Sequence, residues 1–221
     1  MIENILLEFL AVKTHNNGPM KHRPEDLITL FNSLFLETSG TELVRGTEEP
    51  EYLPAGIAGA NAQVIFAHGY FASALHEVSH WCIAGDRRRQ LPDYGYWYCP
   101  DGRNREQQQA FERVEVKPQA LEWLFATACG SAFHISVDNL EGGGAIDETA
   151  FRRNVYRQAC CYLDEGLPPR AGQFLEALMG FYGTGPGDFR RWRQRHANLA
   201  GEPSHHDDHL TTVSETYDAS I

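Results

Sequence analysis

The chain has 221 residues, 42% of them hydrophobic, with 19 Lys and Arg against 30 Asp and Glu for a formal charge of -11. This length and composition suit a single globular domain with its own core, and no apolar run is long enough to span a membrane. The acidic balance excludes a domain that holds nucleic acid by neutralising phosphates, while leaving room for a local basic patch.

Five cysteines occur, two of them adjacent (Cys160 and Cys161), and no CxxC is present. That pattern excludes a disulfide framework and a cysteine zinc site, and reduced thiols in a cytoplasmic protein are expected. The opening MIENILLEFL is apolar but lacks a basic leader, so no signal peptide is expected.

Residues 1–19 read as a loose N-terminal extension that ends in the breaker cluster Asn16-Asn17-Gly18-Pro19. A single metal-binding catalytic domain is expected over residues 20–200. Glu25–Leu36 is helical by pattern, because Leu27, Leu30, Phe31, Leu34 and Phe35 recur at three- and four-residue steps. Thr41–Arg45 and Glu51–Leu53 are short strand candidates around a turn at Pro50. Gln63–Ala67 is the best strand candidate, a β-prone run that ends at His68-Gly69.

A helix follows over Tyr70–Ala84, with Phe71, Leu75, Val78 and Cys82 as one apolar stripe and Gly85 as its stop. Arg87–Arg89 makes a basic patch, and Tyr94–Cys99 is aromatic and β-prone. Asn104–Phe111 and Pro118–Gly130 read as two helices. Asp147–Glu165, Arg170–Tyr182 and Pro186–Asn198 read as three more. Residues 201–221 form a core-free tail with five acidic residues and no Lys or Arg, which reads as disordered. A few short strands followed mostly by helices predict an α+β fold.

The chemistry is carried by His76-Glu77-Val78-Ser79-His80, an HExxH motif. On a helix, residues four apart leave the same face, so both imidazoles can grip one divalent ion. They are offset from the apolar stripe, which can pack while the His pair faces a cleft. A third protein ligand is needed. Glu115, Gln119 and Glu122 fall on one helical face, and Glu115, beside Pro118, is favoured. Glu112 and Glu122 remain alternatives. Two His and one carboxylate serve two chemistries. In a zinc metallopeptidase-like hydrolase, Glu77 is the general base acting on metal-bound water. In a non-haem iron oxygenase, the same ligand set leaves positions open for dioxygen and substrate.

Four blocks carry a resemblance. They are VIFAHGYFASALHEVSHWCIAG (Val64–Gly85), DYGYWYCPDGR (Asp93–Arg103), FERVEVKPQALEWLF (Phe111–Phe125) and DNLEG (Asp138–Gly142). In this order they resemble the elongation factor P hydroxylase family, over roughly residues 24–185. The resemblance implies a cytoplasmic enzyme that hydroxylates the β-lysylated lysine of translation elongation factor P, on a zincin- or protease-like scaffold around the HExxH helix. It implies His76, His80 and Glu115 as metal ligands, with Fe(II) as the metal, although another divalent ion can occupy such a site. Dioxygen is the implied cosubstrate. No 2-oxoglutarate is assigned, because that cosubstrate belongs to a different fold.

In this reading Glu77 orients a metal-bound ligand or relays protons, and His68 assists beside the site or carries a proton. The implied substrate side chain is a long cation, so acidic and aromatic groups should receive it. Asp101, Asp138 and Glu141 are the acidic candidates, and Tyr96 and Tyr98 the walls. The implied partner is β-lysylated elongation factor P, with neither direct nucleic acid nor membrane contact. His205, His206 and His209 sit in the core-free tail, where adventitious metal binding is expected.

Overall fold

Helix α1 (Pro24–Ser39) starts with Pro24 in its first turn, carries Glu25 and Asp26 at its positive end, and stops at Gly40 in the left-handed conformation. Its apolar stripe of Leu27, Leu30, Phe31 and Phe35 is buried. The computed structural model describes residues 22–57, 59–95, 103–137 and 148–201. The N-terminal extension of residues 1–19 and the tail beyond residue 201 lie outside the described residues.

Gly40 leads directly into β1 (Thr41–Arg45), and the Asn32 side chain of α1 accepts the Leu43 N–H at 2.8 Å, tying strand to helix. Strand β2 (Glu51–Leu53) and strand β3 (Ala62–Phe66) complete a sheet of order β1-β3-β2. β1 runs parallel to β3, and β2 antiparallel, with Leu43 and Tyr52 both opposite Val64. Ala62, Val64 and Phe66 are buried on one face of the central strand, the alternation of a sheet that packs on one side. The two short strands read from the sequence match the observed bounds, and β3 is displaced by one residue.

A 3-10 turn at Ala67–Gly69 reverses the chain into helix α2 (Phe71–Ile83), where the Ser73 hydroxyl accepts the Ala67 N–H at 2.9 Å. Leu75, Val78 and Cys82 are buried as the stripe predicts. Trp81 joins them, its ring 4.9 Å from Phe31 and 4.7 Å from Phe35. The stop differs from the expected Gly85. The helix ends at Ile83 with Ala84 extended, and Arg170 donates through Nη2 to the carbonyls of Trp81, Cys82 and Ala84 at 3.0, 3.2 and 2.6 Å. A cation at a helix C-terminus meets both the orphan carbonyls and the negative end of the dipole.

Tyr94 lies in a tight 3-10 turn at Pro92–Gly95 rather than a strand, and the rest of the expected β-prone run, residues 96–99, lies outside the described residues. The two helices expected at Asn104–Phe111 and Pro118–Gly130 are one 25-residue helix, α3 (Arg105–Cys129), running through Pro118. It opens on a reciprocal cap between Asn104 and Gln107 and closes on left-handed Gly130. The inward face continues as Phe111, Glu115, Gln119 and Glu122, all buried. Apolar periodicity breaks there because that part of the face is polar. Pro118 costs one main-chain bond, an effect of about 3 kcal/mol in an ordinary helix interior, and the burial on both sides outweighs it.

Helices α4 (Glu148–Glu165), α5 (Pro169–Tyr182) and α6 (Pro186–Arg195) follow the expected order, and α6 passes into a 3-10 turn at Ala197–Ala200. Among the described residues the fold is α+β, with six helices and one three-stranded sheet. α2 lies between β3 on one side and α3 and α5 on others. The two elements that carry the candidate ligands are thus packed directly together. No helix among the described residues is long and apolar enough to cross a membrane.

Candidate metal centre

His76 and His80 leave adjacent turns of α2 with their Nε2 atoms 3.1 Å apart. Glu115 reaches them from α3, with Oε1 3.3 Å from His80 Nε2 and Oε2 3.6 Å from His76 Nε2. Among the described residues, the donor atoms of His76, His80 and Glu115 all lie within 4.8 Å of one another. Two imidazole nitrogens and one carboxylate oxygen facing a common point fit a divalent metal with open positions.

The far side of His76 is also occupied. Its Nδ1 donates to Glu122 Oε2 at 2.9 Å. A carboxylate behind a ligating histidine fixes the tautomer and ring angle and raises the basicity of the facing nitrogen. Glu122 therefore takes the outer position, and Glu115 the inner one. Glu112 takes neither, since it accepts from Gln108 Nε2 at 3.2 Å on another part of the face. Gln119 supports Glu115, donating from Nε2 to Glu115 Oε2 at 3.4 Å and to the Ser136 carbonyl at 2.7 Å.

Charge and burial compete at each group. Burial opposes the Glu115 carboxylate, but His80 and His76 outweigh it and hold the carboxyl down to about 2. Burial likewise opposes protonated His76, but the bond and charge of Glu122, with Glu115 and Glu77, raise it to about 10. Burial pushes Glu77 upward, against the pull of His76 and His80.

His68 sits in the 3-10 turn before α2 at a left-handed φ of 49°, exposed, with its ring 5.7 Å from Tyr70. The structure does not bring it among the converging donors. The candidate substrate residues Asp101, Asp138, Glu141, Tyr96 and Tyr98 lie outside the described residues. The chain beside them is anchored, however. Buried Arg103 donates to Gln108 Oε1 at 2.9 Å and to the Val137 carbonyl at 3.1 Å, and its guanidinium lies 3.8 Å from the Phe111 ring centre. Gln119 fastens Ser136 in the same way, accepting its N–H at 3.1 Å. Residues 103 and 137 are therefore held together against the N-terminal half of α3.

Glu122 as the His76 partner, Gln119 as the brace and Arg170 as the α2 cap were not assigned from the sequence. The spacing of Glu115, Gln119 and Glu122 pointed to a shared face, but only the packing of α3 on α2 separates their roles.

The model of the elongation factor P hydroxylase family matches residues 30–191. The chain belongs to this family. An elongation factor P lysine hydroxylase of Haemophilus influenzae is 50% identical over 165 residues, covering 75% of this chain and 92% of the relative. The family match contains every residue of the candidate centre.

Proposed function

We propose that this chain is a metal-dependent oxygenase that hydroxylates the β-lysylated lysine of translation elongation factor P. The observation that carries this reading is the convergence of His76, His80 and Glu115 on one point, in a chain similar to an elongation factor P lysine hydroxylase. Adding oxygen to an unactivated C–H bond needs an oxidant that no side chain supplies, and a bound Fe(II) with open positions would supply it by activating dioxygen. His76, His80 and Glu115 would hold the ion, as they would another divalent metal. Glu122 keeps His76 Nε2 turned toward it, and Gln119 keeps Glu115 in reach.

Glu77, raised by burial, is suited to carry a proton at its carboxyl beside the reacting centre. His68 is proposed as a helper at the mouth of the site. Asp101, Asp138 and Glu141 would pair with the ammonium groups of the modified lysine, with Tyr96 and Tyr98 as walls. The catalytic domain spans residues 20–200, and the enzyme works in the cytoplasm on the factor itself, without nucleic acid or membrane. The scaffold reading is zincin-like, supported by an HExxH helix laid against a small sheet.

The test is the intact mass of β-lysylated elongation factor P after co-expression with and without this chain. The expected product is heavier by one oxygen atom and is absent with His76→Ala. An unchanged mass with folded, iron-loaded protein would overturn the reading.

A zinc hydrolase is the second reading, favoured by Glu77 standing between the two histidines of the motif. Glu77→Gln separates the two. A peptidase loses nearly all turnover with its metal retained, because the base on water is gone. The hydroxylase reading expects a retained metal and measurable oxygen addition.

A further inference from the structure

A cleft of about 420 Å³ opens between the C-terminal end of α3, the start of α4 and α6, and none of the candidate metal ligands lines it. That volume is within the range of pockets that hold ligands. Trp123, Trp192 and Phe133 form its floor. Trp123 and Phe133 stack with ring centres 4.8 Å apart and planes at 18°, and Trp192 meets Trp123 edge-on at 5.3 Å. Both tryptophans are buried. Arg152, Arg191 and Arg195 stand exposed at the rim.

Against these three guanidiniums the lining offers one carboxylate, Asp188. It is already engaged. Its Oδ1 accepts from Arg191 Nη2 at 2.6 Å, and its Oδ2 from the Gly185 N–H at 3.0 Å. Arg152 and Arg195 have no ion pair among the described residues. In a chain of formal charge -11, this is a local positive patch over an aromatic floor. Its complement is an acidic segment that also offers apolar side chains.

Such a segment starts beside the cleft. His196 lines the cleft, buried Leu199 pins the 3-10 turn after it, and the described chain ends at Gly201. Residues 202–221 carry Glu202, Asp207, Asp208, Glu215 and Asp218, no Lys or Arg, and Leu210, Val213 and Tyr217 among them. Six flexible residues span about 13 Å on average and at most about 20 Å. Arg195 stands roughly 10 Å back along the turn from Gly201, so Asp207 and Asp208 come within reach of the rim. A tether this short raises the local concentration of the acids to about millimolar, so that weak charge pairs suffice. The segment lies beyond the family match, which ends at residue 191.

We propose that residues 202–218 dock in this cleft, with their carboxylates against Arg152 and Arg195 and their apolar side chains on the Trp123–Trp192–Phe133 floor. The docked segment covers the cleft and keeps acidic peptides of other molecules out of it. Nothing in the proposal depends on the metal centre, and its test reads binding without turnover.

The probe is a fluorescein-labelled peptide of residues 202–221, titrated by anisotropy into the full chain. One variant carries Glu202→Gln, Asp207→Asn, Asp208→Asn, Glu215→Gln and Asp218→Asn, which keeps the length and removes the charge. It is expected to bind the peptide about tenfold more tightly than wild type, the advantage a millimolar tether holds over a peptide whose Kd is about 0.1 mM. Adding Arg152→Glu and Arg195→Glu to that variant is expected to remove the gain, and about 0.5 M NaCl to shrink it. Both arginines are exposed. Circular dichroism checks that the reversed chain folds, and Arg152→Ala with Arg195→Ala repeats the test if it does not. Equal binding by wild type and the uncharged-tail variant would mean a cleft open to acidic segments of other molecules, and would overturn the proposal. So would an uncharged-tail variant that binds no peptide, or a gain that survives the loss of both arginines.

Discussion

His76 uses both ring nitrogens, and its behaviour follows from what each one meets. Nε2 faces His80 and Glu115, and Nδ1–H is held by Glu122. His76→Ala and Glu115→Ala are expected to abolish tight metal binding in an equilibrium titration. Glu122→Gln is expected to keep the fold and lower metal affinity by about 10- to 100-fold, the usual cost of losing the carboxylate behind a ligating histidine. The same variant has a signature in pH. In the metal-free protein His76 is raised from 6.5 to about 10, so the bound proton stabilises the folded state. That contribution is complete below pH 6.5 and is lost as pH rises through about 10. Glu115 runs the other way: its contribution is present above 4.5 and lost as pH falls through about 2. Thermal unfolding of metal-free wild type and Glu122→Gln should therefore differ most below pH 6.5, and the difference should shrink toward pH 10. A constant difference across that range would refute the assignment of the proton to His76.

At the scale of elements, two helices make the centre, and they were not equally legible. α2 was readable to within one residue at each end because its apolar stripe, its neighbouring strand and its HExxH spacing agree. α3 was split in two because the middle of its inward face is Glu115, Gln119 and Glu122, buried but polar. Residues that build a site break the hydrophobic period that reveals an element. The pairing of His76 with Glu122, 46 residues apart, is a tertiary fact that no local pattern carries. Arg170 is another, reaching from α5 to the end of α2, with its guanidinium 4.7 Å from the Trp81 ring centre. Arg170→Ala strips three carbonyls of their donor and exposes the end of the motif helix. It is expected to cost about 1.5–3 kcal/mol in chemical denaturation, with one tight metal per chain retained. Arg170→Lys should recover only part, because an ammonium cannot both stack on Trp81 and fork to several carbonyls. Stability equal to wild type in Arg170→Ala would refute the capping role.

At the scale of the whole molecule, the family match at residues 30–191 encloses the centre and leaves out both ends of the chain. The C-terminal stretch carries His205, His206 and His209 among acidic residues. It resembles a metal site in composition, but Leu210 and Val213 are the only large apolar residues from Ser204 to Ser214, too few for a core, whereas His76, His80 and Glu115 are set by two packed helices. Preorganisation separates the two. A fixed donor set does not spend binding energy on ordering its own side chains, and a donor set on a core-free tail, the expectation from the sequence of residues 201–221, does. Titrating the full chain with Zn²⁺ should therefore give one tight equivalent and additional weak uptake. The triple variant His205→Ala, His206→Ala, His209→Ala should remove the weak uptake and leave both the tight equivalent and oxygen addition intact. His76→Ala should do the reverse. Loss of oxygen addition in the triple variant would move the C-terminal histidines into the function, and would show that the catalytic unit extends beyond residue 200.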